Sequence, residues 1–347
     1  MKLLLLTTYP IEKIELKLES CKELYHIYLY FIEKYIRRNY PNIDLFIKSM
    51  PAGYLIRSSV YENFILEDTY DHCLLVDNRG IARRLPLFHD YLREHVTGLV
   101  TTMSDNTGVK GAEDVLFFCI PHPKKRMEMK RYIGWACDQE MLKPEQEKNT
   151  IQILIDHNYY GPEKSSIHKK DLTLSISRQV WEQVKNIKTK KKIVVKRFCL
   201  GGVETLTDDN YQTIGEYQQN KGLNYFEAVK LYNSTDIFFV THPESMGLVV
   251  LECAMAGALV VAPGGYIKNE LLKPLYNVSL PNKEENVEIN MMYILSRIDH
   301  KLSRERALRF NWSKSVDRIV DTFKNVKKYH RIINNKDTYL FTRPKGI

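Results

Sequence analysis

Residues 236–265, DIFFVTHPESMGLVVLECAMAGALVVAPGG, constrain this chain more than any other stretch. Asp236–Val240 is a short apolar run without polar alternation, the pattern of a strand covered on both faces. Glu244 follows in a loop, and Ser245, Met246 and Gly247 then open a helix. Glu252 falls eight positions after Glu244, about two turns into that helix, where it can face the same side from further down. The first amides of a helix have no intrahelical acceptor. With the positive end of the helix dipole they form an anion site suited to a phosphate or a sugar hydroxyl. Gly257 stands where the helix needs a C-cap, and Ala258–Ala262 reads as another buried strand before the Pro263-Gly264-Gly265 loop. A surface helix preceded by a loop carboxylate would show the same two acids, so the reading depends on these flanks.

The same alternation runs through the rest of the chain. Lys2–Thr8, Ile43–Ile47, Asp71–Asp77, Gly98–Met103 and Asp114–Ile120 read as strands, with helical spacing over Ile11–Arg38 and Leu85–Glu94. A second series begins at Ile151. It runs through strand Ile151–Ile155, a helix near Leu172–Val184, strand Ile193–Cys199, a Gly201-Gly202 turn and helix Tyr225–Asn233. Glu288–His300 and Ser303–Tyr329 read as terminal helices. Strands alternating with helices predict parallel, doubly wound α/β sheets. The expected organisation is two tandem Rossmann-like domains facing a cleft, the default ligand site. The first covers 1–145, with 324–347 packing back on it, and the second covers 146–323. No repeat period or low-complexity tract competes with this reading.

Composition narrows the partners. The chain has 347 residues, 44% hydrophobic and 27% charged, the balance of a globular protein. It has no apolar run of the roughly eighteen residues that a membrane-spanning helix needs. Met1–Pro10 is too short for a signal peptide and reads as a first buried strand. Six scattered cysteines without a C-x-x-C pair argue against zinc or a disulfide framework and for a reducing, cytoplasmic setting. The N-x-S/T triplets at Asn233, Asn277 and Asn311 read as chance. The formal charge is +9, and residues 121–200 alone hold 18 Lys and Arg against 9 Asp and Glu. Such a stretch attracts phosphates of nucleotides, nucleic acid or anionic lipid, or is simply a solvated face.

Taken with its flanks, E-SMGLVVL-E followed by CAMAGALVVAPGG resembles the C-terminal domain of retaining glycosyltransferases of the two-Rossmann GT-B fold, particularly the large fourth family. The resemblance covers Ile151 to about Phe323. Tyr225–Asp236 resembles the helix before the motif strand, and Ile133–Pro144, with Gly134, Asp138 and Pro144, resembles the bridge between domains. Asn311–Phe323 resembles the helix that returns to the first domain. The resemblance implies a nucleotide-sugar donor, a UDP- or GDP-sugar, as co-substrate, no other cofactor, and sugar transfer with retention. Glu252 would accept hydrogen bonds from the ribose hydroxyls, Glu244 would hold hydroxyls of the donor sugar, and the Ser245, Met246, Gly247 and Leu248 segment would meet the sugar or diphosphate. Fixed cations and amides would meet the charge on the leaving diphosphate, and the absence of a D-x-D pair means no metal is required.

The chain departs from the family in two places. Where the family has Gly-Arg after the first strand of the C-terminal domain, this chain has Asp156-His157-Asn158, so His157 is the candidate substitute for the arginine. Lys169 best fits the family lysine by position, with Lys170 and Lys164 as rivals. The Gly-Gly loop after the first strand is here Thr8-Tyr9-Pro10-Ile11. Asp105, just past the fourth strand, is the candidate polar residue of the first domain, and capping the next turn would explain it as well. Catalytic candidates are therefore Lys169, Glu244 and Asp105. The acceptor is expected to be a glycan or saccharide. Modified DNA is the alternative, with Lys124, Lys125, Arg126, Tyr132 and Trp135 able to meet it. A lipid-linked acceptor met through peripheral membrane contact is a third, with Ile11–Arg38 as the amphipathic candidate. An inactive member of the fold that binds nucleotide-sugar or nucleic acid is the non-enzyme alternative.

Overall fold

The computed structural model describes residues 1–7, 24–49, 65–76, 91–92, 94–104, 115–118, 136–146, 148–156, 166–199, 202–208, 223–241, 247–264, 273–280, 282–283 and 286–325. The chain divides into two compact units, Met1–Ala136 with Trp312–Ile347, and Cys137–Asn311. The crossings expected at 145/146 and 323/324 thus fall at 136/137 and 311/312. The bridge residues 137–145 pack with the second unit, where the Cys137 amide donates to Phe310 O at 2.8 Å and Cys137 pairs with Asn311 as an isolated β-bridge.

In the first unit, β1 (Lys2–Thr7) leads through α1 (Leu24–Asn39) to β2 (Asp44–Ser49), then to β3 (His72–Val76), β4 (Val100–Ser104) and β5 (Val115–Phe118). All neighbours are parallel, in the order β2-β1-β3-β4-β5. Leu3, Leu4, Leu5 and Leu6 are all fully buried, as a central parallel strand covered on both faces requires. The C-terminal helix Trp312–Lys324 closes this unit. Trp312 stacks on Phe31 with centroids 5.7 Å apart and meets the edge of Tyr28 at 5.0 Å. The Tyr40 hydroxyl donates to Asp317 Oδ1 at 2.8 Å, and Phe323 stacks on His72 at 4.8 Å. The His72 Nδ1 accepts the Leu99 amide, and burial lowers its pKa. Its ring leaves no room beside Gly98, where a Cβ would lie 2.4 Å from Asp71 O.

The second unit runs β6 (Thr150–Asp156), α2 (Ser166–Val184), β7 (Lys192–Cys199), β8 (Gly202–Thr205), α3 (Tyr225–Asn233), β9 (Ile237–Phe239), α4 (Leu248–Met255), β10 (Leu259–Pro263), β11 (Tyr276–Leu280), α5 (Met291–Ser296) and α6 (His300–Ala307). Its sheet order is β11-β10-β9-β6-β7-β8, parallel except for β8. Ile153, Ile155, Val195, Ile237, Phe239, Leu259 and Val261 pack one face of the sheet against Ile176, Val180 and Val184 of α2. Truncating such a side chain to Ala costs about 2–5 kcal/mol.

Several expected elements are corrected. Gly202, expected in a turn, begins β8, which pairs antiparallel with β7, and Gly201 lies outside the described residues. The helix expected from Glu288 starts only at Met291. Before it the chain is extended, and Gln179 and Gln183 of α2 bond to the backbone of Val287, Ile289 and Met291. The single helix expected over Ser303–Tyr329 is two helices, broken at a 3-10 turn, Leu308–Phe310, and at extended Asn311. Asn311 cannot be helical there, since its backbone pairs with Cys137.

A polar network fixes the N-terminal edge of this sheet. Asp236 is 3% exposed; it holds Lys148 Nζ at 2.9 Å, His300 Nε2 at 3.3 Å and the Gln152 amide at 2.6 Å. Burial works to raise its pKa, but the bonds from His300, Lys148 and Gln152 outweigh it and hold the carboxylate below the usual range. His300 Nδ1 lies 2.9 Å from Gly257 O, so both ring nitrogens face acceptors. The bond to Asp236 accordingly raises His300 and favours the imidazolium. Arg304 donates to the carbonyls of Met255, Leu142 and Gln139, tying the end of α4 to the bridge. Asn233, whose side chain bonds both Lys143 and Met141, ties the bridge to α3.

Gly257 ends α4 as expected. Its φ is +96°, and a Cβ there would lie 2.7 Å from Pro144 Cγ. Gly257→Ala should therefore destabilise the protein by about 1–3 kcal/mol in urea denaturation; an unchanged midpoint would contradict this account of the bridge.

Candidate functional site

The second sheet reverses its direction of growth at β6. The chain adds β7 and β8 on one side, then returns to place β9 on the other. In open α/β sheets ligands bind outside the carboxyl ends of the strands flanking such a reversal. Here those ends are Asp156 of β6 and Val240-Thr241 after β9. They are joined directly, since the Thr241 hydroxyl donates to Asp156 O at 2.5 Å. The acidic motif leaves the sheet at this point.

Gly247 stands immediately before α4 with φ 59° and ψ 46°, the left-handed region that a side chain rarely adopts. It has no side chain to cap the first helical amides, and its carbonyl accepts the Leu251 amide at 2.9 Å. Leu248 is the first helical residue. The helix dipole and the leading amides of α4 thus begin just past the carboxyl end of β9.

Glu252 is the fifth residue of α4, about one turn into the helix rather than two. Every residue from Val250 to Met255 is buried, and Glu252 itself is only 4% exposed. Burial pushes its carboxyl up to about 8, opposed by a hydrogen bond from the Tyr225 side chain. Tyr225, the first residue of α3, is itself buried, and burial together with the Glu252 charge raises its phenol well above the usual value. Cys137 of the bridge, Cys253 and Tyr232 also lie within electrostatic reach of Glu252. At neutral pH this carboxyl is therefore mostly protonated. It would ionise only where a partner supplies hydrogen bonds that favour the anion.

The remaining candidates are less fully placed. Lys169 lies in the first turn of α2, which follows β6. Its side chain, and Asp105, His157, Glu244, Ser245 and Met246, lie outside the described residues. Sequence reading missed Tyr225 as the partner of Glu252 and Thr241 as the lock between β6 and β9. A signal for the first existed in Asn224-x-x-Glu227. Both bonds of this capping box form, at 3.0 and 2.9 Å, and they fix Tyr225 at the start of α3.

No family model and no curated protein sequence matches the chain. Solved structures do. A sucrose-phosphate synthase from Thermosynechococcus elongatus matches with a TM-score of 0.59 at 12% identity, over 94% of this chain and 100% of that one. AviGT4, a glycosyltransferase involved in avilamycin A biosynthesis, matches with a TM-score of 0.55 at 10% identity, over 93% and 97%. A protein designated a UDP-N-acetylglucosamine 2-epimerase, from Listeria monocytogenes, matches with a TM-score of 0.53 at 7% identity, over 94% and 96%. The fold is GT-B. Among the described residues, no helix is long and apolar enough to cross a membrane.

The raised pKa of Glu252 has a stability consequence with a definite sign. A carboxyl whose folded pKa lies above its unfolded value contributes stability that is full below the unfolded pKa, near 4.5, and lost as pH rises through about 8. Glu252→Gln, which cannot ionise, should remove that loss. Its melting temperature should exceed that of the wild type at about pH 9, by about 2–4 °C per kcal/mol recovered. A parallel pH dependence in the two proteins would contradict the buried neutral acid.

Proposed function

We propose that the chain is a glycosyltransferase that moves a sugar from a nucleotide-sugar donor to a glycan or saccharide acceptor, with retention and without a metal. The observation that carries this reading is the position of α4. Its amides and the buried Glu252 come directly after the carboxyl end of β9, at the point where the sheet reverses. Glu252 would accept the two ribose hydroxyls, and the amides at Gly247 and Leu248 would meet the diphosphate or sugar. Glu244 would hold the donor sugar, and Lys169, with His157 in place of the family arginine, would face the leaving diphosphate. Asp105 would serve on the acceptor side.

In the front-side form of the reaction the acceptor hydroxyl oxygen bonds to the anomeric carbon on the face from which the diphosphate departs. The bond from that carbon to the β-phosphate oxygen breaks, and the departing phosphate takes the hydroxyl proton. No protein nucleophile is needed, and the developing charge falls on the diphosphate, where fixed amides and cations act.

The similarity to a protein designated a 2-epimerase supports a second reading, in which the same donor class is altered rather than transferred. Product analysis separates the two, because transfer releases nucleoside diphosphate in step with a glycosylated acceptor. An inactive nucleotide-sugar binder would do neither. Glu244→Ala and Lys169→Ala should each lower acceptor-dependent release of nucleoside diphosphate by about 100-fold without altering the melting curve, and EDTA should leave the wild type unaffected. Full activity of both variants would sink these roles.

A further inference from the structure

Glu252 does not reach its place by its own helix alone. We propose that Tyr225 is a positioning residue of the donor site, its hydroxyl orienting the Glu252 carboxyl so that the remaining lone pairs face the nucleotide ribose. This inference rests on the donor reading of Glu252 given above.

Three features of the structure support it. Tyr225 is pinned at the first position of α3 by the reciprocal Asn224–Glu227 bonds, so its ring cannot drift along the helix axis. The helix is held at its other end by the Asn233 bonds to the bridge. Both Tyr225 and Glu252 are largely removed from solvent, at 6% and 4% exposure, so the phenol competes with little bulk water for the carboxyl. Among the described residues, the titratable side chains in electrostatic contact with Glu252 are few. Tyr225 and Tyr232 come from α3, Cys253 from α4 and Cys137 from the bridge. Cys137, Cys253 and Tyr232 sit in the same buried surroundings, and burial together with the Glu252 charge raises the pKa of each. An ionised carboxylate has about four lone-pair sites. One is taken by the phenol, in a bond that strengthens when the acid ionises, and two suit a vicinal diol.

The arrangement predicts that the anion, not the neutral acid, is the binding form. Nucleotide affinity should then rise with pH until Glu252 is ionised in the free protein. Removing the phenol should make ionisation harder and displace that rise to higher pH. A residue that merely fills space would weaken binding equally at every pH.

The test is calorimetric titration of the full chain with UDP and with GDP between about pH 6 and about pH 9. Wild-type affinity for the nucleotide that binds should rise by up to about tenfold per pH unit below the midpoint. Tyr225→Phe should bind about tenfold more weakly at pH 7, with the gap narrowing as pH rises, and Glu252→Gln should show no such rise. A pH-independent gap, or no gap, between Tyr225→Phe and wild type overturns the positioning role and leaves the donor site intact. Failure of the wild type to bind either nucleotide removes the donor reading, and the inference with it. If Tyr225→Phe does not fold, infrared difference spectra of wild type against Glu252→Gln decide instead. The protonated carboxyl band at pH 7 should vanish on adding nucleotide, and its persistence overturns the proposal.

Discussion

At β6 the second sheet changes its direction of growth, and the chemistry available to the chain depends on that change. A parallel sheet covered on both faces satisfies its backbone internally and offers ligands almost nothing along its length. Polar groups can gather only where strands end. The reversal leaves one such end uncovered by a crossover, between β6 and β9, and Thr241 to Asp156 fastens its two sides. Beyond β9 stand a glycine in the left-handed region and then a helix start. Each step is a local consequence of the sequence, and together they put the leading end of a helix dipole after the carboxyl end of β9.

The cost of the arrangement is borne by Glu252. A carboxyl on a helix buried nearly all round loses its hydration, and with one phenol as its partner it stays protonated near neutral pH. A residue retained only for packing would be better replaced by a neutral isostere. A group that must later accept two hydrogen bonds from a ligand is best kept desolvated and oriented, because the bonds are then stronger than in water. The surrounding scaffold is built to hold it still. Arg304 clamps the end of α4, the Asn224–Glu227 box fixes the start of α3, and the Asp236–His300–Lys148 network anchors the opposite edge of the sheet.

Much of this was legible in the sequence because it is written in short range. Four consecutive buried leucines in β1 and the DIFFV run before α4 announce covered parallel strands, and Gly257 announces a helix end. The breaks came where long-range pairing overrides local preference. Asn311 lies in what reads as one continuous amphipathic helix, yet its backbone pairs with Cys137, a partner 174 positions earlier. The extended segment at Val287–Ile289 is held by glutamines of α2, which no periodicity reveals. The domain crossings moved for the same reason, since the bridge 137–145 is bonded to Asn233 and Arg304 and so travels with the second unit. At the site, the identity and spacing of Glu252 were visible, but its depth and its tyrosine were not, because burial is a property of the packed helix pair.

The central claim is that the β6/β9 end of the second sheet is a donor site with Glu252 on the ribose. Its most direct test is a crystal structure of the protein bound to whichever nucleoside diphosphate most raises its melting temperature. The account predicts ribose hydroxyls on the Glu252 carboxylate and the diphosphate against the amides that open α4. A nucleotide bound elsewhere, or bound with Glu252 still buried against Tyr225 and untouched, would contradict it.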